Sequence, residues 1–233
     1  MKIAILADIH GNAKALEAVL NDAKKQKVKK IFVLGDLIGY YYGAKEVLSL
    51  LHKWDKEVIQ GNHERMLEIA IKDKVFARKY QKKYGSALKI AVKELNQKEI
   101  KFLLQLPPSK RVRVGRVSFD LYHGSPWDED TYLYPDSAVR NFKKALETEA
   151  NFVLVGHSHY QFGYSQNGKH LINPGSVGQS RLEGGIADWS IIETLDKSFE
   201  MMKTKFDIGK IAAKAKSLDP EVPYLWQVLR RRK

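Results

Sequence analysis

Five short segments place aspartate, asparagine or histidine beside glycine: Asp8-Ile-His10, Gly35-Asp36, Gly61-Asn62-His63-Glu64, His123-Gly124 and Gly156-His157-Ser158-His159. Their donor atoms are carboxylate oxygens, imidazole nitrogens and one amide oxygen. No thiolate competes, because the 233 residues include no cysteine. Such a hard and borderline set suits Mn²⁺, Fe²⁺, Zn²⁺ or a similar ion. The candidates Asp8, His10, Asp36, Asn62, His123, His157 and His159 are too many for one tetrahedral shell. They divide between two ions if one carboxylate bridges them, at the separation of about 3.5–4 Å used by two-metal hydrolases. That arrangement leaves positions for water and a phosphate group. Singly, each segment is weak, since Asp-x-His is most often a turn and a lone histidine most often sits hydrogen-bonded in a core. Their joint occurrence carries the signal.

Each segment follows an apolar run. Ile3–Ala7, Ile31–Leu34 and Glu57–Gln60 alternate with helical stretches in β-α-β-α-β order, and Val117–Tyr122 and Phe152–Val155 precede the last two segments. Between the first two runs, residues 13–26 carry Leu16, Val19, Leu20 and Ala23 on one helical face, able to cover a sheet. Parallel strands joined by crossover helices are the expectation. In such sheets the carboxyl ends of the strands form the ligand crevice. Five of the seven histidines therefore reach one sheet edge. Residues 64–106 read as mostly helical, a small helical insertion, with Asn96 and Glu99 starting a helix that runs to Leu106 before Pro107-Pro108. Farther on, Tyr160–Tyr164, His170–Ile172, Trp189–Ile192 and Phe199–Met202 are spaced for antiparallel hairpins. The chain thus reads as an α/β protein with one domain over 1–233: two packed sheets with helices outside, and a C-terminal tail from about 207. The stretch after Pro220 receives no element.

A chain of this length buries about 70% or more of its unfolded surface and needs no disulfide or structural metal to fold. The lack of cysteine fits a reducing compartment, and a cytoplasmic location is expected. The first apolar run is cut by Asp8, too early for a signal-peptide core or a membrane span, so no membrane association is expected. The formal charge is +13, concentrated in residues 72–116 (14 basic, 3 acidic) and 197–233 (10 basic, 4 acidic). Mostly lysine on helical stretches, it reads as a solvated surface that draws in phosphorylated ligands at long range. Phe76, Tyr80 and Tyr84 interleave with Lys74, Arg78, Lys79, Lys82 and Lys83. Nucleic-acid grooves use such aromatics for stacking. Here the spacing is helical and favours a core stripe. A small phosphorylated or nucleotide substrate is therefore the favoured partner, ahead of nucleic acid. Composition says nothing of oligomeric state.

The ordered motif set, from residue 3 to about 181, resembles that of the calcineurin-like metallophosphoesterases. Residues His123-Gly-Ser-Pro126 and Asn173-Pro-Gly-Ser-Val-Gly-Gln179 resemble the small prokaryotic phosphodiesterase branch of that family. The resemblance implies a four-layer α/β/β/α sandwich of two packed mixed sheets and two divalent ions per chain, Mn²⁺ first and Fe, Zn or Ni next. By the same resemblance, Asp8, His10, Asp36 and His159 hold one ion and Asp36, Asn62, His123 and His157 the other, with Asp36 as the bridge. His63 would stand beside the scissile group, protonating the leaving oxygen or steadying the transition state. The implied reaction is hydrolysis of a phosphodiester or phosphomonoester by metal-activated water. A metal-dependent nuclease is the alternative, followed by a catalytically silent scaffold such as a retromer-type subunit of similar fold; the full ligand set and His63 argue against the scaffold.

The chain departs from its apparent relatives in two places. After Gly35-Asp36 it continues Leu-Ile-Gly-Tyr-Tyr-Tyr-Gly43, without the Asp-Arg-Gly of Ser/Thr protein phosphatases, which makes that activity a minor alternative. Tyr40-Tyr41-Tyr42 and Gln179-Ser180-Arg181-Leu182 also differ from the small phosphodiesterases, so the substrate pocket rather than the metal site is altered. Arg181, the one basic residue from Leu171 to Leu182, is a candidate grip on phosphate. A surface arginine beside a glycine turn is the plainer alternative. Ser158 reads as a turn residue, and His52 and His170 receive no role.

Overall fold

The computed structural model describes residues 1–232. The first half runs β1 (Lys2–Leu6), α1 (Ala13–Lys25), β2 (Lys30–Val33), α2 (Ala44–His52) and β3 (Lys56–Val58). Four helices follow: α3 (Asn62–Lys72), α4 (Lys74–Tyr84), α5 (Ala87–Glu94) and α6 (Gln97–Leu104). The second half comprises β4 (Ser109–Val114), β5 (Val117–Tyr122), α7 (Val139–Ala145), β6 (Phe152–Leu154), β7 (Gln161–Gln166) and β8 (Lys169–Pro174). It closes with β9 (Ile186–Glu193), β10 (Ser198–Lys205), α8 (Gly209–Leu218), α9 (Tyr224–Gln227) and a 3₁₀ turn at Val228–Arg230.

The strands form two five-stranded mixed sheets, ordered β10-β9-β1-β2-β3 and β4-β5-β6-β8-β7. Each has a parallel part, β1-β2-β3 in one and β5-β6-β8 in the other, flanked by antiparallel strands on one side in the first sheet and on both sides in the second. Period-two alternation makes the layers. Ile3, Ile5 and Ala7 meet Phe119, Leu121, Phe152 and Leu154 between the sheets, while Ala4 and Leu6 face the helical layer with Leu16, Val19 and Leu20. On the far side Phe142 and Ala145 of α7 cover Val153 and Leu171. This is the expected α/β/β/α sandwich.

The helix α6 starts with the expected reciprocal cap, Asn96 Oδ1 accepting from the Glu99 N–H at 3.0 Å and Glu99 Oε2 from the Asn96 N–H at 2.7 Å, and ends at Leu104. The aromatic stripe of α4 faces inward: Tyr80 is buried in the core, with Phe76 and Tyr84 packed against it. Strand β4 escaped the sequence reading because it is a sheet margin bearing Lys110, Arg111 and Arg113 outward, with Val112 alone fully buried. Arg111 grips Asp120 on β5 through two bonds of 2.6 and 2.7 Å. Residues from 207, read as a tail, are folded as far as Arg230. Ala212, Ala215, Leu225, Val228 and Leu229 pack on Tyr40, Tyr41 and Tyr42, and the Tyr41 and Tyr42 hydroxyls donate to the Leu225 carbonyl (3.0 Å) and to Asp219 (2.7 Å). Among the described residues, no helix is long and apolar enough to cross a membrane.

Candidate metal centre

All six parallel strands end at one edge, and the turns after five of them carry the candidate donors. Asp8 and His10 follow β1, Asp36 follows β2, Asn62 and His63 open α3 after β3, His123 follows β5, and His157 and His159 follow β6. To turn these side chains inward the backbone takes a left-handed path at Asp8 (φ 53°), His10 (51°), Asp36 (52°), His157 (65°) and His159 (60°). Non-glycine residues in that region are strained, and clusters of them mark sites where surrounding structure imposes the geometry.

Three overlapping groups can each surround a cation: Asp8, His10 and His159; His10, Asp36 and His63; and Asp36, His123 and His157. Each aspartate has one oxygen held by a backbone amide, Asp8 Oδ2 by His157 (3.0 Å) and Asp36 Oδ1 by His63 (2.8 Å). The other oxygens face imidazoles. Asp8 Oδ1 lies 3.5 Å from His159 Nε2 and 3.9 Å from His10 Nε2; Asp36 Oδ2 lies 3.4 Å from His123 Nε2 and 3.7 Å from His10 Nε2. Asn62 Oδ1 lies 2.9 Å from His123 Nε2. Thus every residue singled out as a ligand reaches the same cluster.

The arrangement fits a cation on three counts. Asp8 Oδ1 is buried with no hydrogen-bond partner, an uncompensated lone pair that is costly unless something positive sits against it. The Nδ1 atoms of His10, His123 and His159 face the carbonyls of Ile38 (3.3 Å), Leu34 (2.7 Å) and Gln179 (2.9 Å). Protons on Nδ1 satisfy those carbonyls and leave Nε2 for a metal, the usual way a ligating histidine is oriented. Finally, the Nε2 atoms of His10 and His159 face each other at 3.0 Å, two lone pairs that only a proton or a metal can reconcile.

Charge within the cluster is strongly redistributed. Burial, aided by the Asp36 charge, pushes the Asp8 carboxyl up to about 8. Burial also holds His157 and His159 down to about 3, with neighbouring His123 and Arg181 respectively adding to the effect. At His123 burial lowers basicity, but the Asp36 carboxylate outweighs it and lifts the ring to about 9. A proton thereby stands where a cation fits.

His63 is buried, and its Nδ1 lies 2.7 Å from the Tyr80 hydroxyl on α4. Gly39 makes room for that ring, because a β-carbon there would collide with Nδ1. Glu64 has a task the sequence reading did not assign. Its Oε2 accepts the N–H groups of Gly61 (2.8 Å) and Asp36 (2.9 Å), and its Oε1 those of Leu37 (2.9 Å) and Ile38 (3.3 Å). One carboxylate therefore clamps the β2 turn to the start of α3. A Glu three residues past the glycine that precedes a helix is the detectable signal. Tyr80 offered no local signal, since its partner is 17 residues away.

Arg181 is half-buried beside the cluster, its guanidinium 5.5 Å from the Tyr224 ring centre and its backbone N–H 3.5 Å from the His159 carbonyl. Ser158 behaves as a turn residue, its Oγ accepting from Asn173 Nδ2 at 3.0 Å. His52 is exposed, and His170 pairs with Ser165 Oγ at 2.8 Å; neither joins the cluster.

Comparison with known proteins agrees with this edge-of-sheet design. An uncharacterized protein of Methanocaldococcus jannaschii is 33% identical over 231 residues, covering 89% of each chain. A solved metallophosphoesterase from Sphaerobacter thermophilus superposes with a TM-score of 0.73 at 25% identity, over 98% of both chains. A hypothetical protein from Pyrococcus horikoshii shares the fold with a TM-score of 0.84 at 19% identity, over 99% of this chain and 98% of that one. Residues 1–196 match the calcineurin-like phosphoesterase superfamily domain, and with donors from both sheets gathered at one edge, the chain belongs to that superfamily.

Proposed function

We propose that the chain hydrolyses phosphodiester or phosphomonoester bonds of a small phosphorylated or nucleotide substrate with two divalent ions, Mn²⁺ foremost. The observation that carries this reading is the position of Asp36 Oδ2, between His10 on one side (3.7 Å) and His123 on the other (3.4 Å). It shares one donor group with His10 and another with His123 and His157, which supports a bridging role. Asp8, His10 and His159 complete one set, and Asn62, His123 and His157 the other. Ions held there would neutralise phosphate oxygens and make a water molecule acidic near neutral pH.

The remaining tasks fall to the chain itself. His63 lies beside His10, ring centres 4.8 Å apart, with Nδ1 engaged by Tyr80. When His63 is protonated, its Nδ1–H donates to the Tyr80 oxygen and its Nε2–H can pass to a leaving oxygen, which leaves the ring neutral. Tyr40, edge-on to His10 at 4.6 Å, closes the same side against water. Arg181 supplies a fixed positive charge for phosphate oxygens.

The test is activity with bis(p-nitrophenyl) phosphate and a phosphomonoester panel. Chelated protein should be inactive, Mn²⁺ should restore turnover, and elemental analysis should find two ions per chain. Full turnover in excess chelator, or one tightly held ion in active protein, would overturn the reading.

A further inference from the structure

The loop between β5 and α7 carries a feature that metal chemistry does not use. Tyr132 and Tyr134 are 47% and 39% exposed, whereas Leu133 between them is 1% exposed and packs with Phe142 and Phe162. Strand-like alternation thus turns both tyrosines outward. Their rings are nearly parallel and stacked with an offset, 5.7 Å between centres and 7° apart, and Tyr132 in turn stacks on His157 at 3.9 Å and 22°. Tyr160 meets Tyr134 edge-on at 5.8 Å. Among the described residues, neither the Tyr132 nor the Tyr134 hydroxyl has a hydrogen-bond partner. A stack of aromatic rings therefore runs from a donor of the cluster out to the exposed Tyr134.

The surface is held rigidly. Arg65 on α3, two residues past His63, forms ion pairs with Glu129, at 2.9 Å, and with Asp130. The Tyr134 N–H donates to Ser137 Oγ at 2.9 Å, and the Ser137 N–H returns to the Tyr134 carbonyl at 3.0 Å. Large apolar rings left in water beside a phosphate-binding edge favour a planar partner, and bases stack on such rings through their π-faces. The same loop carries Asp128 and Asp136, which are not paired with Arg65 and repel an extended polyanion.

We propose that Tyr132 and Tyr134 form a stacking subsite for the base of a nucleoside phosphoester whose phosphate lies at the metal cluster. This deepens the phosphoesterase reading and rests on it for the position of the phosphate. The subsite selects nucleotides over sugar phosphates and favours short ones over polynucleotides.

Binding to the Mn²⁺-loaded protein tests this with two ligands, AMP and ribose 5-phosphate, which differ by the base. The wild type should bind AMP tighter by about 5- to 100-fold, the usual range for stacking one base. Tyr134→Ala should erase most of that preference while leaving metal content and ribose 5-phosphate affinity unchanged, and Tyr134→Phe should keep it. Equal affinities in the wild type, no binding of either ligand, or a preference surviving Tyr134→Ala would overturn the proposal. So would a tighter grip on a 20-mer oligonucleotide than on AMP, or a dimer that dissociates in Tyr134→Ala without any base preference. If no phosphoester is hydrolysed but AMP preference depends on Tyr134, the hydrolase reading fails and the subsite stands.

Discussion

The floor of the cluster and its rim are held by different means. On the floor, Asp8, His10, Asp36, His123, His157 and His159 are almost wholly buried, and all but His123 sit on left-handed backbone. Each such residue costs about 1–3 kcal/mol and persists because two sheets and the Glu64 clamp leave it no alternative. On the rim, Arg181, Tyr132 and Tyr134 stand on ordinary backbone, partly or largely in solvent, positioned by loops and by Arg65. The floor belongs to the fold, so substituting it should cost metal and activity together. The rim faces the substrate, so substituting it should alter substrate binding and leave the metal content unchanged.

The largest effect should follow Asp36→Asn, which removes charge from the oxygen that lies between His10 and His123. Both ions should be lost, and activity should fall by more than the roughly 10²- to 10³-fold of a single lost transition-state contact. Two ions retained at wild-type affinity would show that floor and rim are not distinguished in this way. Next comes His63→Ala, buried like the floor yet outside the two ligand sets. It should keep both ions and lose about 10²- to 10⁴-fold in turnover, with smaller losses for substrates with acidic leaving groups. Equal losses across leaving groups would mean that His63 orients phosphate instead.

Tyr80→Phe isolates the hydroxyl at 2.7 Å from His63 while keeping the buried ring. About a tenfold fall in kcat with unchanged KM and metal content is expected, at the low end for a partner that orients a working histidine. In a His63→Ala background the same change should do almost nothing, and additive losses would break the coupling. The smallest effect belongs to Arg181→Lys, which keeps charge but loses the planar fork: KM should rise several-fold with metal content unchanged. Arg181→Ala should cost about ten- to a hundredfold in kcat/KM, and wild-type kinetics there would return the residue to the surface.

The floor was legible because each donor lies within a few residues of the strand that aims it. Apolar runs, adjacent glycines and the carboxyl-end rule for parallel strands suffice to converge Asp8, Asp36, His123 and His157. What the sequence concealed depends on distant partners. Tyr41 reaches Leu225 across 184 residues, so the C-terminal helices could not be read as a wall of the site. Strand β4 has the charge pattern of a solvated segment, and its identity comes from pairing with β5. The tyrosine pair alternates around one buried leucine, too short a pattern to stand out from a loop.

The spread of the donors along the chain has a consequence for how the protein folds. The two imidazole nitrogens only 3.0 Å apart belong to residues separated by 149 positions. The group of Asp8, His10 and His159 and that of Asp36, His123 and His157 each draw on both sheets, so they are complete only when one sheet has docked on the other. Long-range pairings of this kind form slowly. Metal that binds the finished edge and not the open chain then acts as a latch, adding RT ln(1 + [L]/Kd) to the free energy of unfolding. Availability of the ion would thus set how seldom a finished chain reopens, not how fast it first closes.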